Sequence, residues 1–129
     1  MNDAAGGWSS LETFSFGDNP ALADELTALV LAGTKTATCW AVSDGLLTKV
    51  GQRMVLVDGA GQPRAIIETV ELTQRRFNHV DAAFAHDEGE GDRTLGYWRR
   101  AHRAYFTRLG QFAPDMMLYC ERFRVVELL

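Results

Sequence analysis

The sequence predicts an α+β fold: a small, curved, mostly antiparallel sheet or barrel with helices packed at its ends. Three observations carry this expectation. Apolar residues alternate over short runs that turn residues separate, as in RMVLVD–GAGQP–RAIIETVEL. Two other segments repeat apolar residues at helical spacing. The order helix, strand, hairpin, helices, strand lacks the regular βαβ alternation of a doubly wound sheet.

Residues 1–15 read as an N-terminal tail and 16–129 as a single domain. Asn19 before Pro20 is a helix start, an N-cap followed by proline at the first helical position. Leu22, Leu26, Leu29 and Val30 then form a core-facing stripe, which Gly33 ends as the C′ residue. Residues 36–42 read as a strand and 43–51 as a loop with Asp44-Gly45 and Val50-Gly51 turns. The hairpin pairs 53–58 with 64–72, and a short helix is expected over 80–85. Asp92 can cap a longer helix that carries Leu95, Trp98, His102, Tyr105, Phe106 and Leu109 on one face and Arg99, Arg100 and Arg103 on the other. Gly110 closes it, and 116–126 is the final strand.

Composition narrows the function classes. At 129 residues, 47% hydrophobic and 23% charged, the chain is long enough for one core. No stretch reaches membrane-span length and the first residues do not resemble a secretory leader, so a cytoplasmic location is expected. Cys39 and Cys120 are distant in sequence and lack ligand spacing, so two reduced thiols are expected. A formal net charge of −4 counts against a general nucleic-acid binder, which needs cations for phosphate contacts. A small nucleoside carries no phosphate and needs none.

Two motifs hold most of the chemistry. Gly33-Thr34-Lys35-Thr36-Ala37-Thr38 supplies an amine and a hydroxyl, and eleven of the thirteen basic residues elsewhere and here are Arg rather than Lys. A Lys can titrate where an Arg cannot, so Lys35 is a candidate base for Thr38 or for a water, provided its amine is partly neutral. The competing reading is a solvated Lys at a helix C-terminus. The second motif, Glu88-Gly89-Glu90-Gly91-Asp92, opens the longer helix and supplies carboxylates. One carboxyl crowded by others would have a raised pKa and could protonate a leaving group; the competing reading is a helix N-terminus favoured by the dipole. Its glycines weaken a helix by about 1 kcal/mol each, so something besides helicity is served. The segment lacks the length and ligand order of a calcium loop, and no metal is expected. Trp40 is a candidate to stack on a planar base or a core residue. His102 reads as a satisfied interior imidazole.

Together, Gly33, Lys35, Thr38, the turn KVGQ, EGEGDRTLGYWRRAH and CERFRVV resemble the ASCH family, small β-barrels similar to the PUA fold. The resemblance implies hydrolysis of the N4-acyl group of N4-acetylcytidine-like nucleosides, without a cofactor. It places the catalytic residues at Lys35, Thr38 and Glu88, with Glu90 as the rival placement because the EG unit repeats. Trp40, Glu90, Arg93 and Tyr97 are the expected substrate contacts. Many members carry Arg where this chain has Trp40, so substrate preference here is expected to differ. An acyl-Thr38 intermediate and a water held by Thr38 both fit. Other members imply the alternative, an RNA-binding module or a ribonuclease acting on single-stranded RNA, with Arg93, Arg99, Arg100 and Arg103 meeting phosphates.

Overall fold

A computed structural model describes residues 10–129. Its strands are β1 (Thr13–Phe14), β2 (Ala37–Ala41), β3 (Arg53–Val57), β4 (Pro63–Arg76) and β5 (Met117–Leu128). Its helices are α1 (Pro20–Leu31), α2 (Ala82–Glu88) and α3 (Leu95–Arg108). The strands form one sheet in the order β1-β3-β4-β5-β2, antiparallel throughout except for the parallel β1–β3 pair. The α+β class and the mostly antiparallel sheet therefore stand.

The expected barrel is not closed. β1 and β2 are the two free edges, and β1 has only two residues before Gly17, at φ 79°, turns the chain towards α1. So short a strand cannot extend a ladder to β2. The helices also do not sit only at the ends. Alternation along β5 sends Leu118 and Cys120 into a cluster with Phe84 of α2 and Trp98 and Phe106 of α3. Phe123 faces the other way, into a cluster with Phe16, Leu26 and Val30 of α1, and Leu56 and Ile67.

Local chemistry explains the boundaries. The Asn19 side chain accepts from the Leu22 N–H at 2.9 Å, and Gly33 takes φ 80° one residue past the Ala32 C-cap. β4 runs past the expected 72 to Arg76 because β5 pairs with it along that whole length. The short helix starts and ends later than 80–85, since Asp81 caps it through the Phe84 N–H at 2.9 Å and left-handed Gly89 ends it. The acidic motif thus closes α2 instead of opening α3. Asp92 is not the cap of α3 either: Thr94 Oγ1 accepts from the Tyr97 N–H, while Asp92 accepts from the Thr94 N–H and hydroxyl.

Candidate active site

Lys35 leaves α1 through Gly33 and is 1% exposed. Its ammonium donates to Glu90 Oε2 and the Ala37 carbonyl at 2.8 Å each, to Glu88 Oε1 at 3.2 Å and to the Glu88 carbonyl at 3.3 Å. An ammonium has three protons, so these acceptors saturate it. Burial alone would push the Lys35 pKa down, but the carboxylates of Glu88 and Glu90 outweigh it and the pKa is raised. The solvated-lysine reading fails, and so does a resting neutral amine.

Glu88 is equally buried, at 1%. Its Oε2 accepts from the Trp98 indole at 2.6 Å and lies 3.4 Å from His102 Nε2, while Oε1 takes the Lys35 contact. Burial raises its pKa, but the His102 and Lys35 charges and its hydrogen bonds prevail and lower it to about 2. The expectation of a raised carboxyl here is therefore overturned: this acid is surrounded by cations and donors, not by other acids. His102 is a partner in this network. Its Nδ1 donates to the Trp98 carbonyl at 2.9 Å and its ring stacks on Trp98 at 4.3 Å, leaving Nε2 towards Glu88. Burial lowers its pKa, and the Glu88 charge reverses this to a net rise. Lys35, Glu88, His102 and Glu90 form a quartet of paired basic and acidic side chains.

The glycines of the acidic motif serve close approach. A Cβ on Gly89 (φ 75°) would lie 2.5 Å from the Thr34 carbonyl oxygen, and one on Gly91 (φ 59°) 2.4 Å from the Tyr97 ring. Bare backbone at these two positions lets Glu90 reach Lys35 and lets Tyr97 cover the turn.

A cavity of ≈ 250 Å³ opens on this network, lined by Lys35, Thr38, Glu88, Glu90, Tyr97 and His102 among others. Glu90 is the more accessible carboxylate, its side chain 17% exposed against 1% for Glu88. The structure thus brings together Lys35, Thr38, Glu88, Glu90 and Tyr97. Lys35 makes no hydrogen bond to Thr38, so the two meet only across the cavity. Trp40 lines an adjoining cavity of ≈ 230 Å³, its indole donating to the Gly45 carbonyl at 2.9 Å. Arg93 lines neither cavity. At φ 64° it turns inward and donates to the His86 and Thr34 carbonyls at 3.0 and 3.3 Å, so it ties the loop down.

Sequence reasoning missed two features. Cys39 and Cys120, far apart in sequence, are direct partners across β2 and β5. Burial and the Glu88 charge push both thiols up, Cys120 to about 12. Cys39, Glu88 and His102 also turn ligand-type atoms to within 4.8 Å of one another. Glu88 is already neutralised there by the Lys35 ammonium, which fills the place of a cation. Only the long-range pairing of β2 with β5 and of α3 with α2 assembles these groups, and no local spacing signals it.

The ASCH domain family model matches residues 12–127. The chain belongs to the ASCH domain family. It is similar to an ASCH domain structure from Lactobacillus crispatus at 36% identity and TM-score 0.83, over 90% of this chain and 79% of that one. A protein from Enterococcus faecalis matches at 38% identity and TM-score 0.81, over 91% of this chain and 77% of that one. An ASCH protein from Zymomonas mobilis shares the fold at 10% identity and TM-score 0.62, over 91% and 68%. No curated protein matches the chain. The PUA-like expectation agrees with these neighbours, and among the described residues no helix is long and apolar enough to cross a membrane.

Proposed function

We propose that this ASCH protein is an amidohydrolase that removes the N4-acyl group from N4-acetylcytidine-like nucleosides. The observation that carries the reading is a buried ammonium, Lys35, fixed between Glu88 and Glu90 in a cavity whose wall includes Thr38. Such a fixed charge in the cavity wall stabilises the oxyanion that forms when an amide carbonyl is attacked, with little reorganisation.

The roles differ from those the sequence suggested. Lys35 keeps its proton, and with its N–H groups held by Glu88, Glu90 and Ala37 it stabilises the carbonyl oxygen through its charge across the cavity. The Thr38 hydroxyl, or a water it holds, attacks the carbonyl carbon. Its proton passes to Glu90, the carboxylate that solvent and substrate can reach. Collapse of the tetrahedral intermediate breaks the carbon–nitrogen bond, and Glu90 returns the proton to the departing N4 amine. If Thr38 itself is acylated, water repeats the cycle and releases the carboxylic acid. Glu88 stays ionised and, with Trp98 and His102, positions Lys35; it is not the acid.

An ultraviolet assay of N4-acetylcytidine tests this. Conversion to cytidine by the wild type is expected, falling by about 10²–10⁴-fold in Glu90→Gln. Intact nucleoside together with cleavage of single-stranded RNA would replace this reading with the ribonuclease one. In that case the exposed Arg99, Arg100 and Arg103 of α3 are the surface to examine.

A further inference from the structure

Thr38 stands at the junction of two cavities, which also share Phe16, Cys39 and Tyr105. The second is a slot walled by Phe14, Phe16, Trp40, Met54 and Ile67, with two acidic groups, the exposed Asp44 and, deep in its wall, Glu121. Glu121 is the direct cross-strand partner of Thr38. The Phe123 N–H donates to the Thr36 carbonyl, so bonded pairs alternate along β2 and β5 and fall next at Thr38–Glu121. Opposed residues in an antiparallel pair project to one face of the sheet. Thr38 and Glu121 are therefore neighbours on the wall of the slot.

The Glu121 carboxyl has no place in the proposed chemistry and, among the described residues, no ionic partner within salt-bridge distance. It is 6% exposed, and its Oε2 accepts from the Thr69 hydroxyl at 2.7 Å, which in turn shares a 2.8 Å hydrogen bond with Thr48. Its Oε1 has no hydrogen-bond partner among the described residues, yet it is not sealed off from the cavity. Burial raises the Glu121 pKa, against the pull of Thr69 and the Lys35 charge. A carboxyl oxygen that opens on a cavity and takes no donor from the protein is available to accept one from a ligand. An acetyl group has no such donor. The exocyclic N–H of a 4-aminopyrimidine is such a donor, and its flat ring suits aromatic walls.

We propose that the slot is the base-binding subsite, in which Glu121 Oε1 accepts an N–H from an aminopyrimidine ring while Trp40 and Phe16 border the ring. The inference rests on the amidohydrolase reading for its orientation: the base lies beyond Thr38, and the acyl carbonyl lies back towards Lys35. It assigns Glu121 to recognition of the leaving base through its exocyclic N–H.

Equilibrium binding of cytidine to the full chain tests the subsite without any turnover. The probes are cytidine and N4,N4-dimethylcytidine, which lacks the exocyclic N–H. Wild type is expected to bind cytidine about tenfold or more tightly than the dimethyl analogue. Glu121→Leu should weaken cytidine about 10- to 100-fold and erase that discrimination, while Glu121→Gln, which keeps an acceptor and the volume, should lose less. Should Glu121→Leu fail to fold, the Gln variant still decides, because it should bind cytidine more weakly than the wild type and with a smaller preference over the dimethyl analogue. Unaltered cytidine binding in the variants, absence of cytidine binding in wild type, or a change confined to acyl-chain preference would each overturn the subsite. Glu121-dependent cytidine binding without hydrolysis of N4-acetylcytidine would overturn the proposed activity and leave the subsite standing.

Discussion

Glu88→Gln removes the carboxylate charge that pairs with Lys35 and His102 while keeping nearly the same volume. The amide can accept only one of the hydrogen bonds that the carboxylate takes from Trp98 at 2.6 Å and Lys35 at 3.2 Å. Its NH₂ then faces a donor, and His102 loses the anion 3.4 Å away. A carboxyl whose pKa falls from 4.5 unfolded to about 2 folded contributes about 3 kcal/mol at any pH above both values. Removal of one member of a buried ion pair costs about 3–5 kcal/mol, which agrees. The expected loss is thus about 3 kcal/mol of a total stability of about 5–15 kcal/mol, or a Tm lower by about 10 °C. Urea denaturation at pH 7 followed by circular dichroism measures it. An NMR titration gives a second readout: the His102 midpoint, above 6.5 in the wild type, should drop in the variant. A loss under about 1 kcal/mol with an unmoved His102 midpoint would refute the buried quartet.

Four further outcomes follow from the same geometry. Lys35→Met should abolish turnover and also destabilise the fold by about 3–5 kcal/mol, since it strands Glu88 without its ammonium; thermal melts and the nucleoside assay read the two effects separately. Acid unfolding should show Glu88 directly: its contribution is present above about 4.5 and lost as pH falls towards about 2, whereas that of His102 is present below 6.5 and lost as pH rises through its elevated pKa, so pH-dependent melts should peak between these limits. Gly89→Ala should cost about 1–3 kcal/mol and lower turnover, because a Cβ 2.5 Å from the Thr34 carbonyl oxygen moves the loop that carries Glu90. A chelator should leave the hydrolysis rate unchanged, and a rate that falls on its addition would redirect attention to Cys39, Glu88 and His102.

Much of this was legible because the signals are local. The Asn19-Pro20 start, the Gly33 stop and the hairpin between 53 and 72 depend on capping and turn chemistry that the sequence displays. Lys35, Thr38 and the EGEG acids could be singled out for the same reason. Their electrostatics could not. Whether a carboxyl is raised or lowered depends on what folds against it, and Glu88 meets His102 and Trp98 only when α3 packs on α2. Likewise, Lys35 appears as a mobile surface amine until the loop bearing Glu90 closes over it. Nothing local in the sequence marks Glu121. Its burial arises from pairing with β2 and from Thr69 on β4, contacts between segments distant along the chain. The unclosed barrel reflects the short β1, whose length no alternation pattern displays.

The central claim is that Lys35, Thr38 and Glu90 together cleave an N4-acyl amide. Its most direct measurement is the release of cytidine and acetate from N4-acetylcytidine by wild type, Thr38→Val and Glu90→Gln, followed by chromatography at pH 7. Equimolar cytidine and acetate are expected from the wild type, with a loss of at least about 10²-fold in each variant. Unchanged substrate in the wild-type reaction, or full activity in Thr38→Val and Glu90→Gln, would contradict it.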